Sequence, residues 1–218
     1  MENSILSPVV TLSLRCFQRP QRTRRMIENV LAQTFNGWEL LLTGDNCPNF
    51  KDPDFIKFVK EAQVKALANG NRIIFSNNYE NAGGCGYVII NQHINSARGK
   101  WFIFLSNDDM IMPEHVQNYV SFMEDEEDLD WAYFNSKVPA IEGGIRIAEL
   151  RRGYIGHSEL IINTRFLRKM PLHGPEYGHD WELVKNLINS TVFYAKAINR
   201  PATYIVKSLP GNIEPGID

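Results

Sequence analysis

Asp108 and Asp109 close the stretch WFIFLSNDDM, and adjacent carboxylates in that setting are the residues of this chain best placed for chemistry. Residues 101–105 are an unbroken apolar and aromatic run, the length and composition of a strand buried on both faces. Polarity switches within one residue to Ser106, Asn107, Asp108 and Asp109. Pro113 is a favoured first helical position, and Glu114 behind it suits the helix dipole, so the spacing predicts a helix from Pro113. The two aspartates then fall between strand and helix, where open α/β sheets bind their ligands. Carboxylates there suit a hard divalent cation, which takes oxygen ligands and bridges to substrate phosphates. Taken alone, Asn-Asp-Asp is also ordinary turn chemistry.

Three other groups recur at the same kind of junction. Arg15, Arg19, Arg22, Arg24 and Arg25 form a basic cluster near the junction of the first predicted strand and helix, open to phosphate binding or to plain solvation. A second polar group, Gly44, Asp45, Asn46, Cys47 and Pro48, ends the second strand. The segment NNYENAGGCGY (residues 77–87) sets glycines before a helix, where backbone N–H groups can approach a phosphate. It lacks the third glycine of the dinucleotide fingerprint.

The elements that must position these groups alternate strand and helix. VVTLSLRCF (9–17), WELLLT (38–43), RIIFS (72–76) and residues 101–105 read as strands. Between them, helices are predicted to about Phe35, over 54–68, and from Tyr87, each with apolar residues at three- and four-residue spacing. Thr23 is the expected cap of the first. This is the pattern of an α/β fold with a mostly parallel, nucleotide-binding type of central sheet flanked by helices. Beyond residue 110 the pattern weakens. Residues 131–138, 160–162, 191–195 and 203–206 are expected strands, 142–152 a short hairpin or loop, and 209–218 a loose tail. In PLHGPEYGHDWELVKNLI (171–188) the second half is helical, so His179 or Asp180 falls at its N-terminus, where aspartate caps well.

With 44% hydrophobic and 22% charged residues in 218, the chain is an ordinary globular one. A net charge of -2 gives no field for nucleic acid or an anionic membrane, so neither is an expected partner. Three widely spaced cysteines indicate a reducing compartment and neither a disulfide frame nor a zinc site. Residues 1–218 show no signal-peptide pattern and no transmembrane segment, so the expected location is cytoplasmic.

Four stretches, in order, resemble the family 2 type of glycosyltransferase with the GT-A fold: TLSLRCFQRP, WELLLTGDNCP, NAGGCGYVIINQHINSARGKWFIFLSNDD and GHDWEL. They cover most of residues 9–188. The resemblance implies a single GT-A domain over 1–218, with a nucleotide-binding half to about residue 110 and an acceptor-binding half and tail beyond. It implies an inverting hexosyltransferase that takes a nucleotide-sugar donor, a UDP-sugar such as UDP-glucose, and a glycan, protein or lipid acceptor. Mn2+ or Mg2+ is the implied cofactor. Carried over residue by residue, Asp45 reads the base, and Arg19, Asn81, Gly84, Asn107 and Asp108 contact the nucleotide. Asp109 holds the metal with Asp108 beside it, and Asp180 is the catalytic base, with His179 as its competitor. His157, Glu159 and His173 are polar candidates for the acceptor side. Three positions depart from the family pattern: Gly44 and Ser106 replace aspartates, and Ile90 an arginine. A nucleotidyltransferase and an inactive nucleotide-sugar-binding module are the alternatives; the turn QRPQR lacks the glycines a nucleotidyltransferase uses.

Overall fold

The computed structural model describes residues 7–78, 80, 86–126, 128–171, 174 and 178–207. Strand β1 (Val10–Cys16) is covered along nearly its whole length, and Leu12 and Leu14 are fully buried. Both point to the same face, and burying such a side chain stabilises by about 1.5–3 kcal/mol, so that face anchors the strand in the core. There follow α1 (Pro20–Leu31), β2 (Trp38–Gly44), α2 (Pro53–Ala68), β3 (Arg72–Asn77), α3 (Tyr87–Ser96) and β4 (Trp101–Ser106). These four strands are parallel in the order β4-β1-β2-β3. In β4, Trp101, Ile103 and Leu105 join the core shared with α1 and α2, while Phe102 and Phe104 pack with α3 on the other face. That two-residue alternation is the strand period.

The second part is built from shorter pieces: β5 (Met110–Ile111), α4 (His115–Asp125), β6 (Trp131–Tyr133), β7 (Ser136–Lys137), β8 (Ile145–Arg146), β9 (Leu160–Asn163), α5 (Thr164–Leu167), α6 (His179–Ser190), β10 (Tyr194–Lys196) and β11 (Tyr204–Ile205). Strand β9 runs antiparallel to β4 and extends the main sheet through β6 to β10, giving seven strands in the order β10-β6-β9-β4-β1-β2-β3. A four-stranded sheet, β5-β11-β7-β8, closes beside it. No helix among the described residues is long and apolar enough to cross a membrane.

The mixed α/β sheet is the expected one, with local differences. Helix α1 starts at Pro20, not near Thr23; Arg19 takes the cap position in the left-handed region, and Thr23 sits inside the helix, donating to the Arg19 carbonyl at 3.2 Å. Helix α4 starts at His115, because Met112 first donates to the Thr203 carbonyl and the Pro113 carbonyl accepts from Thr34 N–H, both at 2.9 Å. The expected strand over 131–138 divides between the two sheets as β6 and β7. The residues expected as a tail, 209–218, lie outside those described.

Candidate functional site

The chain leaves β1 toward β2 on one side and later returns to β4 on the other, so the crevice beyond these three strand ends is the topological switch point of the sheet. The register places Arg15 beside Thr43 and Ser106, one row from the ends of β1 and β2 and at the end of β4. Asp45 follows β2 directly, with its N–H donating to the Cys16 carbonyl at 2.9 Å and its side chain largely buried. Gly44 has no room for a side chain: a Cβ there would meet Asn77 Oδ1 at 2.4 Å and Phe50 Cδ2 at 2.9 Å. The carboxylate that the family carries at this position therefore does not fit. Asn77 fills the space instead, accepting from Cys47 N–H at 2.8 Å and donating to the Cys47 carbonyl at 3.3 Å.

On the other side of β1 the adjacent aspartates face different surroundings. Asp108 Oδ1 accepts from Arg19 and from Arg22 Nη1, the latter at 3.2 Å, and its side chain is 22% exposed. Asp109 is buried; its Oδ2 accepts from the Tyr204 hydroxyl at 2.8 Å and its Oδ1 from the Lys207 N–H at 2.7 Å. Asn107 turns its amide inward, donating to Thr23 Oγ1 at 3.1 Å. Strand β4 thus delivers one carboxylate to the crevice and one to β11, while Asn107 ties the turn to α1. Asn81 and Gly84 lie outside the described residues. Beyond them, Gly86 caps α3 at φ +73, where a Cβ would strike the Arg15 side chain at 2.6 Å.

Two buried groups beneath the crevice carried no local sequence signal. His93 bonds Ser13 Oγ through Nδ1 at 2.8 Å and Thr43 Oγ1 through Nε2 at 2.9 Å, joining α3 to β1 and β2. Burial first, and then the charge of Arg15, lower its pKa to about 4, so it works as a neutral ring. The Cys16 thiol donates to the Cys47 sulfur, which also accepts the Gln18 N–H at 3.2 Å. That thiol bond leads the causes that lower Cys47 to about 6, and it raises Cys16.

Asp180 lies in the first turn of α6 and accepts the Trp181 N–H at 2.8 Å; the cap is Gly178, at φ +91, and not Asp180. A Cβ on Gly156 would stand 3.6 Å from Asp180 Oδ2 and 3.4 Å from Glu159 Oε2, so the two carboxylates flank one glycine. Glu159 is held by Gly156 N–H and Ser136 Oγ, each at 2.7 Å, and by Arg146. His157 is buried and stacks on Phe104 of β4 with ring centroids 4.6 Å apart, which docks this segment on the strand bearing Asp108. His179 opens α6, and His173 lies outside the described residues.

Parallel strands in this order, an antiparallel β9 and a crevice at the switch point define a GT-A type transferase fold. Solved structures share it: S. aureus TarS 1–349 in complex with UDP superposes with a TM-score of 0.71 at 13% identity, over 90% of this chain and 60% of that one. The mannosyltransferase of Pyrobaculum calidifontis in complex with GDP-Man and Mn2+ gives 0.67 at 13%, over 96% and 59%. An uncharacterized glycosyltransferase of Methanocaldococcus jannaschii is 32% identical over 132 residues, 58% of this chain and 42% of the relative. Residues 14–166 match Glycosyl transferase family 2, and the chain belongs to that family. It spans about two fifths or less of the length of the curated relatives it matches.

Proposed function

We propose that this chain is an inverting hexosyltransferase that moves a sugar from a nucleoside-diphosphate donor, with UDP as the nucleotide, to an acceptor hydroxyl. One observation carries the reading: Asp45 and the Arg19–Arg22–Asp108 group stand at strand ends on opposite sides of β1, in a family 2 chain. Structural neighbours are in complex with UDP, UDP-GlcNAc and GDP-Man, so a nucleotide-sugar donor is their common element and UDP is the nucleotide put to the test. The part to about residue 110 takes the donor, and the remainder takes the acceptor.

Among the described residues no three acidic, histidine or cysteine side chains could together hold a metal ion. Mg2+ and Mn2+ sites of this kind need only one or two carboxylates when substrate phosphates supply the other oxygens, so a cation fits here together with the diphosphate. Asp108 offers the carboxylate. Asp109, already accepting from Tyr204 and Lys207 and largely out of solvent, serves β11, and the metal role expected of it passes to Asp108. When bound, the cation supplies Lewis-acid stabilisation of the leaving diphosphate.

Arg19 and Arg22 offer guanidiniums to the same phosphate oxygens, a charge-assisted pairing suited to their planar fork. Asp45 accepts the uracil N–H. Asp180 takes the proton from the acceptor hydroxyl as its oxygen bonds the anomeric carbon opposite the departing diphosphate, so configuration inverts. Glu159, fixed beside it by three donors, shapes the acceptor side. A second reading, an inactive nucleotide-sugar-binding module, draws on the filled space at Gly44. Release of nucleoside diphosphate from a panel of nucleotide sugars, with and without manganese, separates the two. Turnover of a UDP-sugar with manganese supports the transferase; UDP binding with no release from any donor supports the module.

A further inference from the structure

Building on the donor site just described, we propose that Arg19 and Arg22 form a latch on Asp108: it keeps a free divalent cation off the carboxylate until a diphosphate draws the guanidiniums away. Both arginines converge on the single oxygen Oδ1. Together with the carboxylate they leave this corner with a net positive charge, which repels a bare dication. A diphosphate reverses that balance, giving the guanidiniums a stronger anion and the cation its missing oxygen ligands. Metal and nucleotide then enter as one unit.

The two arginines differ in freedom. Arg22 is 10% exposed at its side chain, on the first turns of α1, whereas Arg19 is 45% exposed and able to move. Arg19 also stands in a turn that the base-reading loop controls. Gln18 and Arg19 both have positive φ, 57° and 55°, a costly conformation for residues other than glycine that persists only where the surroundings impose it. The surroundings here are the loop after Asp45. Gln18 N–H donates to Cys47 Sγ at 3.2 Å, and its carbonyl accepts from Asn49 Nδ2 at 2.9 Å. The loop that follows Asp45 thus bonds directly to the residue before Arg19. The elements that read the nucleotide and the carboxylate that takes the cation are joined through Gln18.

The test measures Mn2+ binding directly, by the free-ion electron paramagnetic resonance signal, with no turnover involved. Wild type and Arg19→Gln are titrated with Mn2+ alone and again with saturating UDP; Arg19 is exposed enough for the variant to fold. The latch predicts that Arg19→Gln binds Mn2+ alone about 2- to 5-fold more tightly, the factor an exposed ion pair is worth. The same variant should bind UDP roughly 10-fold more weakly, so the gain in Mn2+ affinity that UDP brings shrinks. Arg19→Lys, which keeps the charge, should lie nearer wild type on both readings. Mn2+ alone binding Arg19→Gln no more tightly than wild type overturns the latch while leaving the donor site standing. Wild type that binds no UDP in the presence of Mn2+ overturns both.

Discussion

The chain up to Asp109 and the chain after it are built by different rules. The first part uses parallel strands of six or seven residues with crossover helices, and its polar groups are the abrupt ends of buried runs. The second uses strands of two to four residues, divided between two sheets, and its order depends on side-chain bonds. Glu159 joins β7, β8 and the turn before β9 through Ser136, Arg146 and Gly156; Asp109 holds β11 through Tyr204. A continuous apolar strand fixes its own register, since a slip would expose its core side chains. A two-residue strand cannot, and buried polar networks supply the register instead.

Separate substitutions should break the two parts in different ways. The largest effect is expected in the second part: Asp180→Asn should lower turnover about 10²- to 10⁴-fold, the worth of a general base. UDP binding with metal should stay near wild type, and stability should hold because asparagine still accepts the Trp181 N–H. Retention of more than about a tenth of the turnover would move the base to His179.

Asp45→Ala is its counterpart in the first part. Losing a charged hydrogen bond of about 1.5–3 kcal/mol should raise the UDP dissociation constant roughly 10- to 150-fold, with turnover at saturation little changed. Wild type that binds UDP, GDP and CDP equally would remove the base-reading role.

Acid should weaken the first part through His93. Its folded pKa is lowered to about 4 by burial, against 6.5 unfolded, so the unfolded chain binds the proton first. Stability from this group is whole above pH 6.5 and falls as pH drops from 6.5 toward 4, by roughly 3 kcal/mol in all. Urea titrations of wild type and His93→Gln across that range should show a flatter profile for the variant. Parallel profiles would mean that His93 protonates in the folded state. A smaller change, Tyr204→Phe, should cost about 1–3 kcal/mol by leaving the buried Asp109 short of a donor, whereas Asp108→Asn should leave the melting temperature nearly unchanged and weaken UDP–metal binding. Reversed effects would exchange the roles of the two aspartates.

The sequence made the first part readable for a physical reason. The strand ends carrying Asp45 and Asp108 are marked by apolar runs that stop within a residue, and periodicity shows that locally. The N-terminus of α1 is displaced because Pro20 starts the helix behind a left-handed Arg19, a conformation that residue type does not announce. Asp180 is not the cap of α6 because Gly178 turns the chain first. Asn77, Arg22, His93, Glu159 and Tyr204 gained their roles from partners 23 to 95 residues away, through sheet register and packing. The loss of an acidic residue at Gly44 is visible in the sequence, but its cause, the Asn77 amide in that space, is not.

Thermal unfolding tests most directly whether the donor site takes UDP together with a divalent cation. A ligand at 100 times its dissociation constant stabilises by about 2.7 kcal/mol, roughly 5–10 °C in melting temperature for a chain of this size. UDP with manganese should give that shift, and UDP with a chelator much less. Equal shifts in the two would contradict the role of the cation, and no shift in either would contradict the donor site.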